Sequence, residues 1–145
     1  MKFGAILLLT LVYSISHGSG GNELYAEDYE EFWRQWQGVK ASAMECSDPE
    51  KMAQLVSRAV EMTGNAEVTQ ANSEVLEGKL LSNPHCVLDG FSRLPNNQMN
   101  QAIEVFLMNP VFTPAAEIEG ALGRAWGSGD YSKVKDAYES FSGKR

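Results

Sequence analysis

The stretch NPHCVLDGFSRLPNNQMNQAIEVFLMNP, residues 83–110, decides the fold class. Its apolar residues recur at steps of one, three and four: Cys86, Val87, Leu88, Phe91 and Leu94, then Met99, Ala102, Ile103, Phe106 and Leu107. That is the period of a buried helix face, not the alternation of a strand. Asn83 can cap the first helix, and Pro84 suits its first turn, where a missing N–H costs nothing. Pro95 with Asn96-Asn97 makes a turn and a new cap. Asn109-Pro110 stops the second helix, because a residue before proline is pushed out of the α region.

The same punctuation extends outward. Downstream, Thr113-Pro114 starts a helix carrying Ile118, Leu122 and Trp126, which ends in Gly127-Ser128-Gly129. Asp130 is then expected to cap a last helix with Val134, Ala137, Tyr138 and Phe141 on its apolar face. Upstream, Ser47-Asp48-Pro49-Glu50 is a capping box, with Ser47 as the expected cap, ahead of Met52, Leu55, Val56, Ala59 and Val60. Gly64-Asn65 ends that helix and opens the segment 66–82. A first helix over 24–44 carries Tyr25, Tyr29, Phe32, Trp33, Trp36, Val39 and Ala43, with Glu27, Asp28, Glu30 and Glu31 on its other face. Core packing is the commonest use of such an aromatic stripe. No run of alternating β-branched residues suggests a strand. The expected fold is all-α: about seven short helices in one domain over 24–145, with Phe32, Trp36, Leu55, Val56, Leu88, Phe91, Ile103, Phe106, Leu122 and Trp126 in the core.

The start of the 145-residue chain reads differently. Lys2 supplies one positive charge, Phe3 to Ile15 is almost wholly apolar, and Ser16-His17-Gly18 places small residues at the first and third positions. This is the order of a signal peptide over 1–18, cleaved after Gly18 or Gly20. The apolar run is about 13 residues, short of the roughly 20 that a spanning helix needs. Residues 19–23 are expected to be a flexible mature end. Removing Lys2 takes the formal net charge from −7 to −8. Nucleic acid binding needs clustered Lys and Arg, so an acidic domain is a poor prospect for it. The chain equally lacks the basic face that anionic lipid attracts, and no membrane association is expected once the signal is removed.

Export makes a structural disulfide the natural state of the two cysteines, Cys46 and Cys86. A catalytic thiol would need a nearby base. The mature chain offers only His85, and neighbours on a helix point about 100° apart. No Asn-x-Ser/Thr sequon is present, which favours a bacterial periplasm over a eukaryotic secretory route.

Familiar catalytic patterns are missing. There is no Gly-x-Ser-x-Gly elbow, phosphate loop or calcium loop, and one His with two bonded cysteines cannot make an ordinary zinc site. No cofactor and no metal are expected. Acidic residues are plentiful, but their clustering on the first helix suits a solvated face better than paired catalytic carboxylates. His85, in the first turn of its helix, reads as a surface or capping residue. The chain is therefore read as a binding protein and not an enzyme.

Segment 66–82 is the odd helix. Val68, Ala71, Val75 and Leu76 make a thin apolar stripe among Thr69, Gln70, Asn72, Ser73, Glu74, Glu77 and Lys79. Such a helix is expected at the surface or against a partner, which makes segment 61–79 the first candidate for partner contact, through Asn72, Glu74, Glu77 and Lys79. The turns Pro95-Asn96-Asn97 and Gly127-Ser128-Gly129 come next.

With its helices laid out, the chain resembles the periplasmic immunity proteins that bacteria hold against type VI secretion amidases, the Tai and Rap immunity families. The likeness rests on a signal peptide before a short helical domain and on an aromatic first helix, with Trp33 and Trp36, leading to Cys46. It rests further on the second cysteine within Asn83-Pro84-His85-Cys86-Val87-Leu88-Asp89-Gly90-Phe91, and on Phe106, Pro110 and Phe112 before a Pro-started helix. It covers most of the mature chain. The resemblance implies a protein that binds and inhibits a peptidoglycan-cleaving cysteine amidase, commonly as a homodimer. Its motifs are structural, so they carry over no interface residue. Two other readings stay open: a secreted helical carrier of a small apolar ligand, suggested by the Met and aromatic content, and a small muramidase-like enzyme.

Overall fold

Four helix starts are set by side-chain caps that satisfy otherwise orphaned backbone donors. Asp28 accepts from the Glu31 N–H (3.0 Å), Asp48 from Glu50 (3.0 Å), Asn65 from Val68 (3.2 Å) and Asn83 from Cys86 (3.3 Å). The computed structural model describes residues 20–143. Eight α-helices follow in order: α1 Gly21–Glu27, α2 Tyr29–Met44, α3 Pro49–Glu61, α4 Ala66–Ser82, α5 Pro84–Arg93, α6 Asn96–Ala102, α7 Ala115–Trp126 and α8 Ser132–Ser142. A π-helical turn, Ile103–Leu107, continues α6 and closes with the Met108 N–H donating to the Ile103 carbonyl (2.9 Å). The described residues contain no strand, so the all-α expectation holds.

The count is eight helices and not seven, because the first one breaks. Asp28 takes an extended backbone (φ −145°, ψ 82°) and caps α2, dividing the expected 24–44 helix into α1 and α2. Helix also begins earlier than expected, so Gly21 and Asn22 are helical where a flexible end was read. The signal peptide over 1–18 and a cleavage at Gly18 lie outside the described residues. Among the described residues no helix is long and apolar enough to cross a membrane.

Three caps differ from the sequence reading. Asp48, not Ser47, caps α3, since the residue before Pro49 is the one held extended. Pro95 precedes α6, leaving Asn96 and Asn97 already helical. Tyr131 occupies the cap position of α8, while Asp130 accepts from the Ser132 hydroxyl instead (3.1 Å).

Helix α5 is the central element, packing on α3, α4, α6, α7 and α8. Its contact with α3 is close because Gly90 has no side chain: a Cβ there would lie 2.3 Å from Met52 Cγ. Phe91, Phe106, Leu55, Leu88, Ile103 and Leu122 fill the main core. A smaller cluster of Phe32, Met62 and Val68 lies under α1 and α2. Of the expected core residues, Trp36 and Trp126 prove only half-buried. Cys46 and Cys86 are disulfide-bonded, with Cα atoms 5.4 Å apart. Cys46 sits just past α2 at φ 57°, a left-handed position that usually takes glycine.

Candidate functional site

Helix α4 turns its polar stripe inward. Val68, Asn72, Leu76 and Leu80 follow one another at four-residue steps, and Ser73 and Glu77 lie beside them; all six are buried. The sequence reading placed four residues of this helix at a partner surface, and the structure corrects three of them. Asn72 is 1% exposed, its Oδ1 accepting from Trp36 Nε1 (2.9 Å) and its Nδ2 donating to the Val68 carbonyl (2.9 Å). Lys79 is half-buried and donates from Nζ to the Met44 carbonyl (2.8 Å), closing the end of α2 beside Cys46. Glu77 is 2% exposed. Only Glu74 faces solvent. A short polar residue one turn from an apolar one looks the same from sequence whether it faces water or a buried partner, and here the partners lie 34–36 residues away.

Glu77 leads to a different surface. Its Oε1 accepts from the Val111 N–H (2.7 Å), and its Oε2 accepts from those of Phe112 (2.9 Å) and Thr113 (2.7 Å). A buried carboxylate receiving three consecutive backbone donors fixes a loop strongly, since hydrogen bonds to a charged group exceed neutral ones. The clamped loop lies between Pro110 and Pro114. Asn109 also ties it down, its Nδ2 donating to the Glu104 carbonyl (2.7 Å). What the loop presents is apolar: Val111 is 52% exposed and Phe112 54%. With Tyr29 they are the exposed large hydrophobics among the described residues. A rigid loop displaying an aromatic and an aliphatic side chain can enter a cleft at low ordering cost. The sequence signal was present as the apolar pair between two prolines, but Phe112 stood there only as part of a motif, without a role.

A second feature lies against the first two turns of α4. A cavity of about 280 Å³ opens beneath α1, lined by Leu24, Phe32, Trp36, Met62 and Val68, with Arg58 among its polar neighbours. The rings of Tyr25, Phe32, Trp33 and Trp36 meet edge to face along this side, successive centroids being 5.2 Å apart. Tyr25 and Tyr29 both donate to the Glu67 carboxylate, which fastens α1 and the start of α2 to α4. These bonds hold the Glu67 carboxyl below the usual range and raise both tyrosines.

No group of three or more His, Cys, Asp or Glu side chains among the described residues is placed to hold a metal ion. Compared with known proteins, the chain matches no family model, no curated protein and no solved structure.

Proposed function

We propose that this is a periplasmic immunity protein that binds and inhibits a peptidoglycan-cleaving amidase delivered by a type VI secretion system, using the Val111–Phe112 loop as the inserting element. The observation that carries the reading is the Glu77 clamp. An inhibitor that must occupy an enzyme cleft needs an exposed element already held in its bound shape. Here one buried carboxylate binds three consecutive N–H groups of the loop that displays Val111 and Phe112. The sequence resemblance supplies the target class, and the acidic balance, −7 over the whole chain, suits a basic rim. Glu74, exposed on α4, stays in the proposal as a partner contact. The homodimer expected from the resemblance is retained as a proposal. Exposed apolar surface adds little to it, since Tyr29, Val111 and Phe112 are the large hydrophobics exposed among the described residues.

The experiment is protection in the periplasm. Cells making an exported amidase effector should survive when they also make the full chain. The double change Val111→Ser, Phe112→Ser should abolish protection at unchanged protein level. Equal protection by that variant would sink the loop, and no protection by the wild type against any such amidase would sink the function.

A second reading, the carrier of a small apolar ligand, is favoured by the cavity beneath α1. Native mass spectrometry of the protein purified from its own periplasm decides it: a bound small molecule, lost in Trp36→Ala, supports a carrier.

A further inference from the structure

His85, read from sequence as a surface or capping residue, is instead the middle of a chain of hydrogen bonds linking three elements. Ser128, in the turn after α7, places its Oγ 3.1 Å from His85 Nε2. On the other side of the ring, His85 Nδ1 lies 2.8 Å from the Tyr131 hydroxyl. Tyr131 in turn donates to Asp89 Oδ1 (3.0 Å).

For neutral His85 only one arrangement of protons satisfies all three contacts. The Asp89 carboxylate can only accept, so the phenolic proton of Tyr131 points to it. The phenolic oxygen must then accept from Nδ1–H. That leaves Nε2 without a proton and facing Ser128, whose hydroxyl donates to it. This is the tautomer a general base requires, with the imidazole oriented from behind by a hydrogen-bonded acid. Tyr131 is 7% exposed. Burial and the Asp89 carboxylate push its hydroxyl up to about 12, so it stays a donor at neutral pH.

The turn is shaped for the arrangement. A Cβ on Gly129 would fall 2.4 Å from the Tyr131 ring, so only glycine lets the Ser128 turn lie against that ring. Ser128 is exposed on the turn, within reach of incoming reagents. Its other contacts, to the Ala125 and Arg124 carbonyls, are longer, at 3.3 and 3.5 Å.

We infer that Ser128 is a base-activated nucleophile, with His85 as its general base, toward small activated acyl esters. As Ser128 Oγ bonds to the acyl carbon, its proton passes to His85 Nε2. The carbon–oxygen bond to the leaving alcohol breaks, and that alcohol departs with the proton from Nε2. Water then repeats the step at the acyl-serine and releases the carboxylic acid. Tyr131 and Asp89 act as positioning residues through the imidazole. The site stands on an open turn, which admits small esters and gives no hold to a long chain. The inference does not rest on the inhibitor reading.

The test uses the full mature chain with p-nitrophenyl acetate, and a fluorophosphonate as a second probe. Peptide mass spectrometry should find the acetyl and the phosphonyl group on Ser128, and Ser128→Ala should remove both. His85→Gln should slow labelling by about 100-fold or more, the usual contribution of a general base. Tyr131→Phe should change the pH profile of labelling, which a purely structural role would leave alone. Labels found only on lysines, labelling of Ser128 that is indifferent to His85→Gln, or p-nitrophenol release that survives in Ser128→Ala each overturn the inference. Since Ser128 is exposed, its removal leaves the fold intact, and wild-type labelling alone already decides the first point.

Discussion

Replacing Glu77 by glutamine changes one oxygen and almost no volume, so its effect reports on the clamp itself. With the amide oxygen in the Oε2 position, Phe112 and Thr113 keep the bonds that measure 2.9 and 2.7 Å to the carboxylate, but to a neutral acceptor. The amide nitrogen then faces the Val111 N–H, and two donors meet where a bond of 2.7 Å had been. One charge-assisted bond is lost, about 1.5–3 kcal/mol. Two more are weakened by about half, roughly 0.75–1.5 kcal/mol each. The expected total is about 3–6 kcal/mol, a large share of the roughly 5–15 kcal/mol of a typical domain. Urea unfolding measures it by linear extrapolation. Hydrogen exchange localises it, since the amides of residues 111–113 should exchange about 100-fold faster while those of α5 slow or quicken only with global stability. The exposed neighbour serves as control, with Glu74→Gln expected within about 0.5 kcal/mol of wild type. A loss under about 1 kcal/mol, with protection at 111–113 unchanged, would show that Glu77 does not hold the loop.

Gly90→Ala should destabilise by about 1–3 kcal/mol, because the new methyl overlaps Met52 and forces α3 from α5; a chemical melt at wild-type stability would contradict the packing. Breaking the disulfide through Cys46→Ser with Cys86→Ser should cost up to about 4 kcal/mol, from the 40-residue separation of the cysteines. Free thiols in the folded wild type under non-reducing mass spectrometry would refute the bond. Tyr131 is raised on folding, so its stabilisation is intact below the ordinary tyrosine range and is lost as pH rises towards about 12. Melts should show up to about 3 kcal/mol lost across that window, and Tyr131→Phe should flatten it; identical alkaline profiles would show that Tyr131 is not buried as described.

Much of the fold was legible because its punctuation is local. Pro49 and Pro84 at helix starts, an Asp or Asn before each, and apolar residues at helical steps are read within a few neighbours. The two cysteines were legible because an isolated pair, in a chain whose start reads as a signal peptide, has few other fates. The break at Asp28 was hidden because one extended residue between two amphipathic turns does not disturb the apolar period. The character of α4 was misread for a deeper reason. Its polar residues are satisfied by Trp36 and by the N–H groups of residues 111–113, and pairings at that distance leave no mark on local spacing. The Ser128–His85 contact was missed likewise: 43 residues separate the pair, and Tyr131 lies 46 residues from His85, to which its hydroxyl is bonded.

The most direct test of the inhibitor account is the affinity between this protein and the amidase effectors of type VI secretion systems, measured by calorimetry with wild-type and Phe112→Ser chains. The account predicts tight binding by the wild type, with loss of catalytic turnover at one inhibitor chain per enzyme. It predicts that Phe112→Ser weakens binding by at least about 30-fold, the 2 kcal/mol of an interface hot spot, with no loss of its own stability. Equal affinity for the two chains would place the inhibitory surface away from the Glu77-clamped loop, and no binding by the wild type would contradict the assignment itself.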